Sequence, residues 1–367
     1  MQTIIQGKES YRQIAAILKG IKSKKFLLVC GKSSFEALNI KAYIDSGCPE
    51  YIRFSEFSPN PRYEQVCDGV EAFKTSGCDA IVVIGGGSAM DVAKCIKLFC
   101  KMSTGENYLK QDYTDTEIPL IAVPTTAGTG SESTRYAVIY YNGEKQSVTH
   151  NSIVPNYAIL DYSLLKTLPL YQKKCAMLDA LCQGIESWWS VNSTDESKEY
   201  SKIAIKIIIQ NWRKYIFEDD ELAAEQIMLA SNYAGRAINI TQTTAPHAFS
   251  YKLTSLYGIP HGHAVAICLP VIWSKMHDEN SLLQESRGKE YLRMIFDDIS
   301  KAMGVGTSEN AILSFYSMLK DLEIFSPIIT KDEMQILVSS VNPVRLKNNP
   351  VFFSEEDIRI IYAHVQI

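Results

Sequence analysis

Two histidines in this chain each follow a proline: His247, within the run from Thr244 to Tyr251, and His261, within the run from Gly258 to His263. Proline suits the first turn of a helix, so each histidine falls near a helix start, and a helix–loop–helix could bring both imidazoles together. Asp179 and Gln183 are four residues apart on another helical stretch, and therefore share a face. One carboxylate with two imidazoles suits zinc or divalent iron in a site that keeps a coordination position open. Taken singly, each residue has a plainer explanation: a solvated helix face for the aspartate, a structural hydrogen bond for a histidine.

A second kind of chemistry is written in glycines. The run from Cys78 to Lys94 reads as an apolar strand, a loop of Gly85, Gly86, Gly87 and Ser88, and then a helix containing Asp91. Glycines allow close backbone approach to a ligand, and the first turn of the following helix offers unpaired N–H groups to phosphate oxygens. That arrangement suits a dinucleotide pyrophosphate, although a glycine turn can also serve packing alone. A second small, hydroxyl-rich loop from Pro124 to Glu132 carries Thr125, Thr126, Thr129 and Ser131, again directly after an apolar strand. Two such loops at strand ends match the rule that open α/β sheets bind ligands there.

The elements that must position these residues divide the chain in two. Apolar runs at Phe26–Cys30, Ala80–Ile84, Leu120–Val123 and Tyr157–Leu160 alternate with helical stretches such as Tyr63–Thr75 and Met90–Phe99, which predicts a parallel sheet with helical crossovers. Tyr136–Tyr141 and Lys145–Thr149, joined through Asn142 and Gly143, predict a hairpin with a type I′ turn. Beyond a boundary near residues 162–169, Ser197–Phe217, Glu221–Ile240, Gly262–His277 and Tyr291–Met303 show helical periodicity with few strand signals. The expected fold is an α/β, Rossmann-like dinucleotide-binding domain over residues 1–165 followed by an all-α, metal-binding domain over residues 166–367.

Bulk properties narrow the partners. A chain of 367 residues is longer than one hydrophobic core usually serves, in keeping with two domains. The formal charge of −4, without blocks of like charge, gives no reason to expect nucleic acid or an anionic membrane as partner. No secretory signal pattern opens the chain, no apolar run reaches the ~20 residues of a membrane span, and the nine cysteines form no C-x-x-C pair. A cytoplasmic protein with reduced thiols is the expectation.

These motifs together resemble the iron-containing alcohol dehydrogenase superfamily, whose fold is shared with dehydroquinate synthase. The resemblance runs along nearly the whole chain in order: Ser58-Pro-Asn60-Pro61 is similar to its P-N-P segment, Gly85–Lys94 to its G-G-G-S-x-x-D-x-x-K loop, and Pro124–Glu132 to its P-T-T-x-G-T-G-S-E loop. Lys145 falls where the family has a lysine before a strand ending in aspartate, here Asp161, and His247–Pro270 keeps the spacing of the two metal histidines. The resemblance implies metal ligation by Asp179, His247 and His261, with Gln183 where the family usually has a fourth, histidine ligand; its amide would be a weak one. The metal is Fe2+ or Zn2+. Tyr251 stands where a further family histidine is often found, so a proton relay falls to Tyr251 or His263.

The cofactor expected is NADPH, or NADH. An acid after the first long strand would bind the ribose 2′-hydroxyl and repel a 2′-phosphate; this chain has Gly31, Lys32 and Ser33 there, which admits and favours NADPH. Within the superfamily, the stretches around His247 and His261 most resemble phosphonoacetaldehyde reductases, which implies reduction of a small aldehyde to a primary alcohol, with Lys252, Arg135, Lys145 and His263 as candidate partners of a phosphonate. A generic short-chain alcohol dehydrogenase, a dehydroquinate-synthase-like cyclase and a metal-poor relative that binds nucleotide without catalysis are the alternatives. The partner implied is a small-molecule aldehyde or alcohol, and the resemblance also implies a homo-oligomer, a dimer among the common forms.

Overall fold

The computed structural model describes residues 2–278 and 282–365. The chain divides into two compact units, Met1–Pro169 and Leu170–Ile367.

The first unit is built on eight strands: β1 (Thr3–Gln6), β2 (Lys25–Cys30), β3 (Glu50–Phe54), β4 (Ala80–Gly85), β5 (Leu120–Pro124), β6 (Tyr136–Tyr141), β7 (Glu144–Thr149) and β8 (Tyr157–Leu160). Six of them form one parallel sheet in the order β1-β8-β5-β4-β2-β3. The helices are α1 (Gln13–Gly20), α2 (Lys32–Glu36), α3 (Ile40–Gly47), α4 (Tyr63–Ser76) and α5 (Gly87–Phe99). The central strands β2, β4 and β5 are continuous apolar runs because both faces are covered. Leu27, Val29, Ile81, Val83 and Ala122 pack with Val66 and Val70 of α4 and Ile96 and Phe99 of α5. Their alternates Phe26, Leu28, Val82, Ile84 and Val123 pack with Ile14 and Leu18 of α1 and Ile40 and Ile44 of α3. β2 leads outward to β3 while β4 leads the other way to β5, so the strand order reverses between them and the C-terminal ends of β2 and β4 meet at a switch point.

β6 and β7 form the expected hairpin, with Tyr141 opposite Glu144 and both Asn142 (φ 51°) and Gly143 (φ 78°) left-handed, as a type I′ turn demands. Strands β1 and β3 at the sheet edges went unread in the sequence, since each is short and mixes exposed polar with half-buried residues.

The second unit is helical among its described residues: α6 (Leu170–Trp189), α7 (Asp195–Phe217), α8 (Glu221–Thr241), α9 (Ala245–Tyr257), α10 (His261–Met276), α11 (Lys289–Ala302), α12 (Ser308–Asp321), α13 (Lys331–Ser340) and α14 (Glu355–His364). Helix α6 is buried along most of its length. Side-chain caps set several starts: Thr194 accepts from Ser197 N at α7 and Asp220 from Ala223 N at α8. No described helix is long and apolar enough to cross a membrane.

Candidate metal centre and nucleotide loops

Three helices of the second unit converge on one point. Asp179 projects from the middle of α6, His247 from the first turn of α9, where Pro246 occupies the position that needs no amide donor, and His261 opens α10 after Pro260. One ligand atom from each of the three lies within 4.8 Å of the others. Asp179 Oδ1 is 3.4 Å from His247 Nε2 and 4.0 Å from His261 Nε2, and the two rings stand 5.1 Å apart at 71°. The close approach depends on Gly262, because a Cβ there would fall 2.0 Å from the Cys175 carbonyl oxygen and 2.9 Å from Asp179 Cβ. Only glycine lets the first turn of α10 rest on α6 at this depth.

The imidazoles are held from behind. His247 Nδ1 lies 2.5 Å from Glu186 Oε1, and Glu186 Oε2 accepts from Thr244 N at 2.8 Å and Thr244 Oγ1 at 3.0 Å. Ser250 Oγ donates to the His247 carbonyl and lies 3.4 Å from His261 Nδ1, so the His261 ring donates to the serine and turns Nε2 toward Asp179. Tyr251, one turn after His247, stacks parallel on His261 at 5.9 Å. Gln183 Nε2 donates to Asp179 Oδ2 at 3.2 Å.

The donor set fits a divalent cation. Asp179 is 3% exposed and Glu186 fully buried, on either side of the His247 ring. Burial alone would push the His247 pKa down, but the Glu186 and Asp179 carboxylates raise it to about 10. The cluster therefore demands positive charge at its centre, which a proton supplies in the bare protein and a metal ion would supply in its place. The His261 side chain is 37% exposed, so the centre has an open side.

His263 is placed differently. Its Nδ1 lies 2.7 Å from Tyr171 Oη and its Nε2 2.9 Å from the Phe325 carbonyl oxygen, and burial lowers its pKa. A neutral ring accepting from the tyrosine and donating to the carbonyl satisfies both contacts, so moving a substrate proton would break one of them. Lys252 is half-buried on α9. Five residues beyond His247, it lies about 140° round the helix from it. Glu186 went unnoticed in the sequence: it shares a face with Asp179 and Gln183 at i, i+4 and i+7, but α6 also carries Gln172, Lys173, Lys174 and Ser187, so that stripe does not stand out.

In the first unit the two glycine-rich loops pack on each other at the C-terminal edge of the sheet. A Cβ on Gly86 would come 3.2 Å from the Thr126 side chain, and one on Gly87 3.0 Å from the Thr129 methyl; Thr125 N donates to the Gly85 carbonyl. Gly86 caps α5 with no side chain to cover its first turn, where a helix offers amides to an anion, and Ser88, Thr125, Thr126 and Thr129 are half-buried around it. Lys94 is 1% exposed and donates to Ser131 Oγ, Thr134 Oγ1 and the Tyr136 carbonyl. Ser131 Oγ in turn reaches Asp91 Oδ1 at 3.5 Å. Burial pushes the Asp91 carboxyl up and the Lys94 ammonium down, each opposed by attraction to the other, and Lys145 on β7 also pulls Asp91 down. Asp91, Lys94 and Ser131 thus brace the second loop against α5.

Gly31 caps α2 after β2, with Lys32 and Ser33 exposed and Lys32 Nζ 2.6 Å from Glu56. Asn60 is exposed in a left-handed conformation (φ 55°). Arg135 contacts the Tyr136 hydroxyl and Asn151 in the first unit.

Comparison with known proteins fits this geometry. Residues 2–162 match the family model for iron-containing alcohol dehydrogenase, and residues 174–365 the C-terminal model of the same family. "Probable alcohol dehydrogenase EutG" of Escherichia coli is 36% identical over 217 residues, 58% of this chain and 55% of that protein. Phosphonoacetaldehyde reductase of Streptomyces viridochromogenes is 32% identical over 250 residues, 64% of this chain and 62% of the relative. The crystal structure of sulfoacetaldehyde reductase from Bifidobacterium kashiwanohense in complex with NAD+ superposes with a TM-score of 0.89 at 25% identity, covering 99% of this chain and 96% of that one. The chain belongs to the iron-containing alcohol dehydrogenase family and is a nicotinamide-dependent oxidoreductase with a candidate divalent-metal site.

Proposed function

We propose that this oxidoreductase reduces a small aldehyde bearing an anionic tail, phosphonoacetaldehyde first among them, to the primary alcohol, here 2-hydroxyethylphosphonate. The observation that carries the reductase chemistry is the convergence of Asp179, His247 and His261 on one point with an open side. The anionic tail is supported by similarity to a phosphonoacetaldehyde reductase and a sulfoacetaldehyde reductase, both of which act on two-carbon aldehydes ending in an oxyanion.

When bound, the metal supplies Lewis acidity toward the carbonyl oxygen and the nicotinamide supplies hydride. Asp179, His247 and His261 hold the metal, and Glu186 and Ser250 fix the two rings. Gly86, Gly87 and the first-turn amides of α5 bind the pyrophosphate, with Thr125, Thr126 and Thr129 beside it. Gly31, Lys32 and Ser33 take the ribose end; the exposed pair of Lys32 with Glu56 is weakly held, so Lys32 is free to exchange it for the 2′-phosphate of NADPH. Tyr251, stacked on His261, is better placed than His263 to pass a proton to the product alkoxide. Lys252 is the cation of the helical unit assigned to the anionic tail.

The match to EutG favours a second reading, a general short-chain alcohol dehydrogenase. Initial rates of NADPH and NADH oxidation with phosphonoacetaldehyde, sulfoacetaldehyde and propanal separate the two. A kcat/KM for an anionic aldehyde at least about tenfold above propanal, roughly 1.4 kcal/mol of transition-state discrimination, supports the proposal. Equal or better turnover of propanal sinks the anionic assignment and leaves the reductase.

A further inference from the structure

We infer that Glu186 is a positioning residue of the metal centre, fixing His247 as an Nε2 ligand and tying that ring to the start of α9. The inference rests on the metal reading of the centre and not on the identity of the aldehyde.

Glu186 is completely buried on α6, and both its oxygens are used. Oε1 meets His247 Nδ1 at 2.5 Å, while Oε2 accepts from the Thr244 amide at 2.8 Å and the Thr244 hydroxyl at 3.0 Å. The Thr244 hydroxyl itself accepts from Trp189 Nε1 at 2.8 Å, so its own proton is directed at the carboxylate. Accepting at Oε1 as it does twice at Oε2, the carboxylate takes its hydrogen bond from a proton on the ring nitrogen that faces it. A neutral imidazole protonated at Nδ1 has its lone pair on Nε2, which lies 3.4 Å from Asp179 Oδ1. One side chain thus sets the tautomer, the orientation of the ring and the first turn of α9, where a negative charge is also favoured by the helix dipole. Asp179 and Glu186 are two helical turns apart on the same helix, so the ligand and the group that orients its neighbour move together. A carboxylate behind a metal-binding imidazole raises its basicity and holds its geometry.

The test measures metal binding on the full chain, independently of any aldehyde. Zinc affinity is determined by chelator competition for the native protein, Glu186→Gln and Thr244→Val, and the visible spectrum is recorded after loading with cobalt. Glu186→Gln keeps an acceptor for the two Thr244 donors only by turning its amide N–H onto His247 Nδ1, and is expected to weaken zinc binding about 10- to 100-fold and to change the cobalt spectrum. Thr244→Val, which leaves the ring contact in place, is expected to weaken zinc binding less than about threefold. Unchanged zinc affinity and cobalt spectrum in Glu186→Gln, with only a lower melting temperature, would show a purely structural role and overturn the inference. If Glu186→Gln does not fold, nitrogen-15 histidine spectra of the zinc-loaded native protein decide. A proton on His247 Nδ1 with the metal on Nε2 upholds the inference, and the reverse arrangement overturns it.

Discussion

Asp179 and Glu186 work on opposite sides of the His247 imidazole, and that arrangement gives the centre its demand for a cation. Asp179→Asn removes the charged ligand but keeps the size of the side chain. Metal affinity is expected to fall by at least about 100-fold, beyond the usual cost of losing a group behind a ligand, with nucleotide affinity unchanged; equilibrium dialysis and fluorescence titration check the two halves. Lys252→Met tests the anionic tail. The KM for phosphonoacetaldehyde should rise about 10- to 100-fold, as loss of a charge-assisted hydrogen bond implies, while the KM for propanal stays where it was. The three converging residues were legible as candidates because proline marks a helix start and Asp179 sits in a helical run. Glu186 was not, since an acid on a helix ordinarily reads as a solvated residue and its burial comes from tertiary packing. His263 drew attention through its nearness to His261 in sequence, yet two residues along a helix are about 200° apart, and the structure has it bonded to Tyr171 and Phe325.

Helices α6 and α10 meet at Gly262, and the centre exists because they can approach that closely. Gly262→Ala would place a methyl carbon 2.0 Å from the Cys175 carbonyl and force the first turn of α10 away, carrying His261 with it. The expected cost is about 1–3 kcal/mol of stability from overpacking together with loss of high-affinity metal binding, seen by thermal unfolding and metal titration of the same samples. Unimpaired metal binding in that variant would show that the contact does not set the ligand geometry. At this scale the sheet core was plain in the sequence, because β2, β4 and β5 are unbroken apolar runs. The edge strands β1 and β3 were not, since their identity comes from pairing with β8 and β2 and their own composition is mixed. The glycine loops were legible as loops, but the bracing of one by the other through Asp91, Lys94 and Ser131 depends on contacts between segments some forty residues apart.

The molecule as a whole carries a candidate nucleotide site in its α/β unit and a candidate metal centre in its helical unit, and its stability carries a pH signature of its own. Burial lowers the pKa of His263 and His277, so the unfolded chain, with histidines near ~6.5, binds protons that the folded chain does not. Stability contributed by these two groups is therefore present above ~6.5 and is lost as pH falls below it through their lower folded values. His247 in the metal-free protein is shifted the other way and acts only above that range, its contribution being lost as pH rises through about 10. His277→Gln should flatten the fall in melting temperature between about pH 7 and pH 5 relative to the native chain; an identical slope would contradict the burial argument. The most direct test of the function is aldehyde-dependent NAD(P)H oxidation by the protein as purified, after removal of metal by a chelator, and after refilling with zinc or iron. The account predicts turnover that disappears with the metal and returns with one of the two ions. Turnover that persists undiminished in the metal-free protein, or that no ion restores, would contradict a catalytic metal centre at Asp179, His247 and His261.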